Sequence, residues 1–255
     1  MGRVLPPMQF PTASEIPLRL DSVEFRSPGQ MTPGDRALMA VGEPSLRDLA
    51  ELKGLGLSQG KWQSWQVVCP ALPNHLLLKF TRDNGAGDVS VFTASIPRGK
   101  GGRVRVIPLQ RRSYSLFSPA PINAMTIAAF NRIQAEEQPG GAPDWLTMGL
   151  CYAALVGAQP GTATPQEGTE SRKFSVGAGA VVEIRGEGGA VIRFTDAVEI
   201  HDPMDWAMAF DGKGRLLKAE HTPAPPMAPR TIAGSTADGP VRVLPQSSAD
   251  WQGKP

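Results

Sequence analysis

Residues 65–117, WQVVCPALPNHLLLKFTRDNGAGDVSVFTASIPRGKGGRVRVIPLQRRSYSLF, decide the fold class. The runs WQVVC, HLLLKFTR, DVSVFTASI, RVRVIPL and RSYSLF are separated by the breaks DNGAG and RGKGG, which are rich in Gly. Short runs of strand-forming residues separated by such turns are the pattern of consecutive antiparallel strands, a β-meander. Gly85, Gly87, Gly99, Gly101 and Gly102 fall in the turns, where positive φ is expected.

Downstream the period changes. Asn123 can cap a helix running to Glu137, with Met125, Ala128, Ala129, Phe130 and Ile133 on its buried side, before Pro139 and Gly140 stop it. Asp144 starts a second helix over residues 145–158, apolar almost all round and therefore expected between layers. As a helix that stretch is only about 21 Å long against a hydrocarbon core of about 30 Å, so no membrane span is expected. After the polar loop QPGTATPQEGTES come two more hairpins, AVVEIRGEGGAVIRF and WAMAFDGKGRLLKAEH.

Upstream, Val23 and Phe25 alternate as an extended edge or short strand, and TPGD at 32–35 reads as a turn. Ser45, with Asp48 three residues on, resembles a capping box opening a short helix carrying Leu46, Leu49 and Leu52. Together these features predict an α+β fold: antiparallel hairpins and a meander, a helical pair packed on the sheet, and extended Pro-rich terminal arms. The expected organisation is an N-terminal arm with short strands (1–44), a core domain (45–221, with 45–158 and 172–221 as candidate subdomains) and a Pro-rich C-terminal arm (222–255).

Composition supports this division. The chain has 255 residues, 41% of them hydrophobic and 20% charged, enough for a sizeable core. Its 25 Pro and 28 Gly exceed the usual combined share of about 12%. Glycine falls mainly in turns, and proline at the ends and helix stops. The 26 Lys+Arg and 24 Asp+Glu leave a net charge of +2, which gives no bulk attraction for nucleic acid. The first residues contain no apolar run of a secretory leader, which points to the cytoplasm, whereas a processed exported chain would present the same kind of start.

Cys69 and Cys151 have no C-x2-C partner and cannot form a zinc site. Both sit in apolar surroundings, so two buried thiols are expected in a reducing compartment. The alternative, a disulfide, would close a loop of about 82 residues and contribute about 4.5 kcal/mol by chain entropy.

Chemistry-bearing patterns are few, and no cofactor is expected. The chain lacks a phosphate-binding P-loop, and GAGAVVEI lacks the third glycine and the helix of a dinucleotide site. GLSQG at 56–60 is a literal G-x-S-x-G, but a helix precedes Ser58 and a strand follows, the reverse of a nucleophile elbow. His201 and Asp202 lie at one outer end of the last hairpin and Glu220 and His221 at the other, so pairing could gather two imidazoles and two carboxylates as metal ligands or as the centre of a hydrolase. Arg98, Lys100, Arg103, Arg105, Arg111 and Arg112 form a basic hairpin suited to phosphate contacts, in a chain with 18 Arg to 8 Lys. The plainer reading of that ribbon is a solvated face that resists edge aggregation. The leading expectation is a non-enzymatic subunit docking on other protein subunits through its arms. Nucleic-acid binding through residues 98–112 is the second reading, and a metal-dependent enzyme or hydrolase the third.

Overall fold

The computed structural model describes residues 23–51, 62–85, 88–99, 107–115, 124–137, 144–157, 171–176, 180–185, 188–197, 204–224 and 242–244. Its elements are, in chain order, β1 (Val23–Arg26), α1 (Pro33–Glu51), β2 (Gln63–Val68), β3 (His75–Gly85), β4 (Asp88–Pro97), β5 (Ile107–Ser115), α2 (Ala124–Glu137) and α3 (Trp145–Val156). There follow β6 (Ser171–Val176), β7 (Val181–Ile184), β8 (Ala190–Ala197), β9 (Met204–Phe210), β10 (Leu216–Pro223) and β11 (Arg242–Leu244). The fold is α+β, with antiparallel strands in the order β10-β9-β8-β6-β1-β2-β3-β4-β5. β7 lies against the first half of β8, where Val181–Ile184 face Ala190–Arg193, and β11 joins β7 in parallel. β6 meets only the end of β8, through Ser175 and Val176, so two sheets share this narrow junction.

The meander forms, and β3 is buried on both faces. In β3, Leu76, Leu78 and Phe80 face one way, toward Met31 and Leu46, while Leu77 faces the other way into the larger core. α1 covers the first face with a stripe of Leu38, Met39, Leu46 and Leu49. α2 and α3 cover the second. RVRVIPL and RSYSLF are not two strands: Ile107–Ser115 is continuous and is accommodated by a bulge opposite Thr93/Ala94.

α3 is buried along nearly its whole length and packs against β1, β6, β8 and β9. It therefore lies between the two sheets, the burial its all-round hydrophobicity predicts. The Asp144 side chain caps its first turn, accepting from the Thr147 N–H at 3.0 Å. At its other end the Lys79 ammonium, fully buried, donates to the carbonyls of Ala154 (2.9 Å) and Leu155 (3.4 Å). A cation there satisfies terminal carbonyls that no water reaches, and it complements the negative end of the helix dipole.

Several expectations change. The helix placed at Ser45 begins at Pro33. Thr32, read as part of a turn, caps it by accepting the Asp35 N–H at 3.1 Å, and Pro33 supplies the fixed φ suited to a first helical position. Pro44 lies inside α1 on its exposed side. β1 is not an edge: it sits between β2 and β6, because Val23 and Phe25 fill the core over α3. Ala128 is exposed, and Thr126 and Gln134 join Phe130 and Ile133 on the buried face of α2. Among the described residues positive φ occurs at Gly188 (76°) and Gly214 (81°), in the later hairpins, and not at Gly99. The thiol expectation is also corrected: Cys69 and Cys151 form a disulfide, their Cα atoms 5.6 Å apart, because packing brings the end of β2 onto α3. No described helix is long and apolar enough to cross a membrane.

The close approach of α3 to the second sheet depends on glycine. A Cβ at Gly157 would run into the Trp206 ring, which is stacked on Phe194 and His221 and anchored by its indole N–H to Asp196 at 3.0 Å. Gly34, in the exposed first turn of α1, would meet only Thr32 at 4.0 Å. Gly157→Ala should therefore lower stability by about 1–3 kcal/mol through overpacking. Gly34→Ala should raise it by about 0.5 kcal/mol through unfolded-chain entropy. Urea unfolding of both variants checks this, and equal effects would contradict the packing argument.

Candidate functional site

β9 and β10 pair in the register Ala207↔Glu220, Trp206↔His221 and Asp205↔Thr222, and β8 continues the rows with Arg193, Phe194 and Thr195. Directly opposed residues share a face, so these rows sort the side chains. Phe194, Trp206 and His221 form an inward aromatic row with ring centroids 6.4 and 4.8 Å apart. Buried Asp196 accepts from the Trp206 indole and from the Met204 N–H at 2.8 Å, fixing the start of β9.

The neighbouring rows, Arg193, Thr195, Asp205, Ala207, Glu220 and Thr222, face outward and with residues of the Phe194, Trp206 and His221 row line an open groove of about 390 Å³. Ala207 is its floor, because a methyl group leaves space between the longer side chains on either side. Each charge has a local partner. Thr195 donates to Asp205 at 2.6 Å, Glu220 pairs with Lys218 at 2.6 Å, and Arg193 lies 3.4 Å from Glu183. Such a face can exchange hydrogen bonds with an extended polar molecule, and the Asp205 carboxylate, whose partner is the neutral Thr195 hydroxyl, keeps its negative charge there.

This register separates two residues that the sequence reading grouped. Glu220 points to the outer face and His221 to the inner one, so they do not converge on one ion. His201 and Asp202 lie outside the described residues. Among the described residues no three His, Cys, Asp or Glu side chains gather as a metal-binding group. Of the basic hairpin, Arg98 is held by Asp35, its guanidinium 3.0 Å from the carboxylate, and its N–H donates to Asn74. Arg111 and Arg112 stand in β5 opposite Phe92 and Val91. Lys100, Arg103 and Arg105 lie outside the described residues, as does Ser58.

A second polar cluster, not found from the sequence, lies where β3, β4 and α2 meet. The His75 Nδ1 is 2.6 Å from the Ser95 Oγ, and its Nε2 is 3.8 Å from a Glu136 carboxylate oxygen. The arrangement has the residue types of a nucleophile, base and orienting acid. Ser95 is fully buried, however, and no substrate carbonyl could reach it. No sequence signal marked the cluster, since Ser95 and His75 meet only through the β3–β4 register. Next to it Glu137 accepts from both the backbone and side-chain N–H groups of Asn74, at 2.9 and 2.8 Å, tying α2 to the loop before β3.

No protein-family model, curated protein or solved structure matches the chain.

Burial raises the Glu137 pKa above its ordinary value of 4.5, outweighing the lowering by the Asn74 hydrogen bonds and by the Arg98 charge. A carboxyl whose folded pKa is raised contributes stability below its unfolded pKa and loses that contribution as pH rises through the folded value. Glu137→Gln should therefore gain in stability relative to the parent chain as pH rises from about 4 to 7. Urea unfolding at both pH values measures it, and a difference independent of pH would contradict the assignment.

Proposed function

We propose that this chain is a non-enzymatic interaction subunit that assembles with other protein subunits through its extended Pro-rich ends. The observation that carries this reading is β11. A three-residue piece of the chain's own Pro-rich C-terminal region pairs by its main chain with a sheet edge of the same chain, Arg242–Leu244 against Val181–Glu183, so this region can dock by strand addition. Main-chain pairing of an extended segment to a sheet edge is a general mode of protein recognition.

The interior chemistry supports the same reading, because the reactive side chains described are committed to the architecture. His75 and Ser95 are sealed between sheet and helix, Lys79 caps α3, and Asp196 holds the Trp206 indole. The disulfide between Cys69 and Cys151 favours an oxidising compartment as the place of assembly.

Size-exclusion chromatography with light scattering tests the proposal. The full chain should elute with the mass of two or more copies, or with a bound partner protein. A chain ending at Ala224, which keeps all of β10 and loses only β11, should retain nearly all of its far-UV circular dichroism but run as a single copy. A full chain with the mass of one copy and no partner would contradict the proposal.

A further inference from the structure

The outer groove of the second sheet carries opposite charges on its two sides. Glu183 on β7 accepts from Arg185 through one carboxylate oxygen and from Arg193 through the other, each at 3.4 Å. One carboxylate shared by two guanidiniums leaves a positive charge on the Arg193 side. The Arg193 side chain is 48% exposed and lines the groove. On the other side, the Asp205 carboxylate accepts from the Thr195 hydroxyl at 2.6 Å. A neutral donor fixes that carboxylate without cancelling its charge. Glu220 is balanced by Lys218 at 2.6 Å and adds little to either pole.

The strand register sets the spacing of the poles. Arg193 is opposite Ala207 and Thr195 is opposite Asp205, so Arg193 and Asp205 are diagonal neighbours on one face. Such neighbours stand about 7–8 Å apart. The Arg193 guanidinium leans towards Glu183 on β7, the strand on the far side of β8 from Asp205, which widens the gap. A free α-amino acid, whose amino nitrogen and carboxyl carbon are about 2.5 Å apart, is too short to reach both poles. An extended chain advances about 3.4 Å per residue, so the free ends of a di- or tripeptide lie about 7–10 Å apart. Between the poles the floor is the Ala207 methyl group, and Thr195 and Thr222 supply hydroxyls beside it for peptide amides. The volume of about 390 Å³ falls within the range of small-ligand sites.

We propose that this groove binds short peptides with free ends, the ammonium on Asp205 and the carboxylate on Arg193. The site is independent of assembly through the C-terminal arm. A simple anion or cation meets one pole only, and a peptide blocked at both ends meets neither. Both poles are open to water, so the binding is weak and falls with added salt.

Titration of the full chain with tri-alanine, followed by nuclear magnetic resonance at the amides of Thr195, Asp205 and Ala207, tests the site. These amides should shift in a saturable way as the peptide rises to about 10 mM. Tri-alanine acetylated at its N-terminus and amidated at its C-terminus should leave them unmoved at the same concentration, as should free alanine. Asp205→Asn keeps an acceptor for Thr195 while removing the charge, and Arg193→Gln removes the opposite pole. Each should weaken tri-alanine binding about fivefold or more. Lys213→Gln, in the exposed turn between β9 and β10, should not change it. No shift with tri-alanine, equal shifts with the blocked peptide or with alanine, or unchanged binding in either charge variant would overturn the proposal.

Discussion

The interaction on which the rest of the structure depends is the burial of α3 between two sheets. A helix covered on every side has no water to satisfy its end groups, so the surrounding protein must do so. Asp144 supplies an acceptor at the first turn, and Lys79 reaches from β3 to the last carbonyls. Lys79 also lies 6.0 Å from the centre of the Phe25 ring on β1. One buried ammonium therefore ties a strand of the meander, the central helix and the core side of β1 together. Removing either partner of such an arrangement would strand a polar group in apolar surroundings, which costs more than the bond itself contributes. The disulfide adds a covalent link from the end of β2 to the middle of the same helix.

From α3 the constraint passes outward to the second sheet. Gly149 lets the helix approach Ile192 and Met208, and Gly157 gives the Trp206 ring its place. With Trp206 fixed inward by Asp196, the period of the strand obliges Asp205 and Ala207 to face outward. The outer groove, the separation of Glu220 from His221 and the position of both sheet edges all follow from that register.

Where structure follows from local periodicity and turn chemistry, the sequence could be read directly. β3 and β4 are largely apolar runs around a Gly-rich turn, Asp144 stands immediately before an apolar run, and DGKG separates the strands of the last hairpin. The start of α1 was ambiguous because Thr, Pro, Gly and Asp serve turns and helix N-termini equally well, and only the apolar stripe from Leu38 onward distinguishes them. Pro44 hid the continuity of that helix, although on an exposed face its missing N–H leaves a carbonyl that solvent can reach. Lys79 looked like an ordinary polar residue on a strand face, and nothing local indicates that a helix end will lie over it. The Cys69–Cys151 bridge, the central place of β1 and the His75–Ser95 contact are properties of tertiary pairing. They required the register between distant segments. For the candidate site, adjacency misled: Glu220 and His221 are neighbours in sequence and for that reason point to opposite faces.

Native-state hydrogen exchange tests the central claim most directly, since it reads the free energy at which each amide opens. If α3 is the element around which both sheets are held, the amides of Leu150–Val156 should exchange only through global unfolding. Their opening free energies should then match, within about 1 kcal/mol, that of the whole molecule from urea unfolding. Exchange of α3 through a partial opening that leaves β3 and β4 protected would contradict the account.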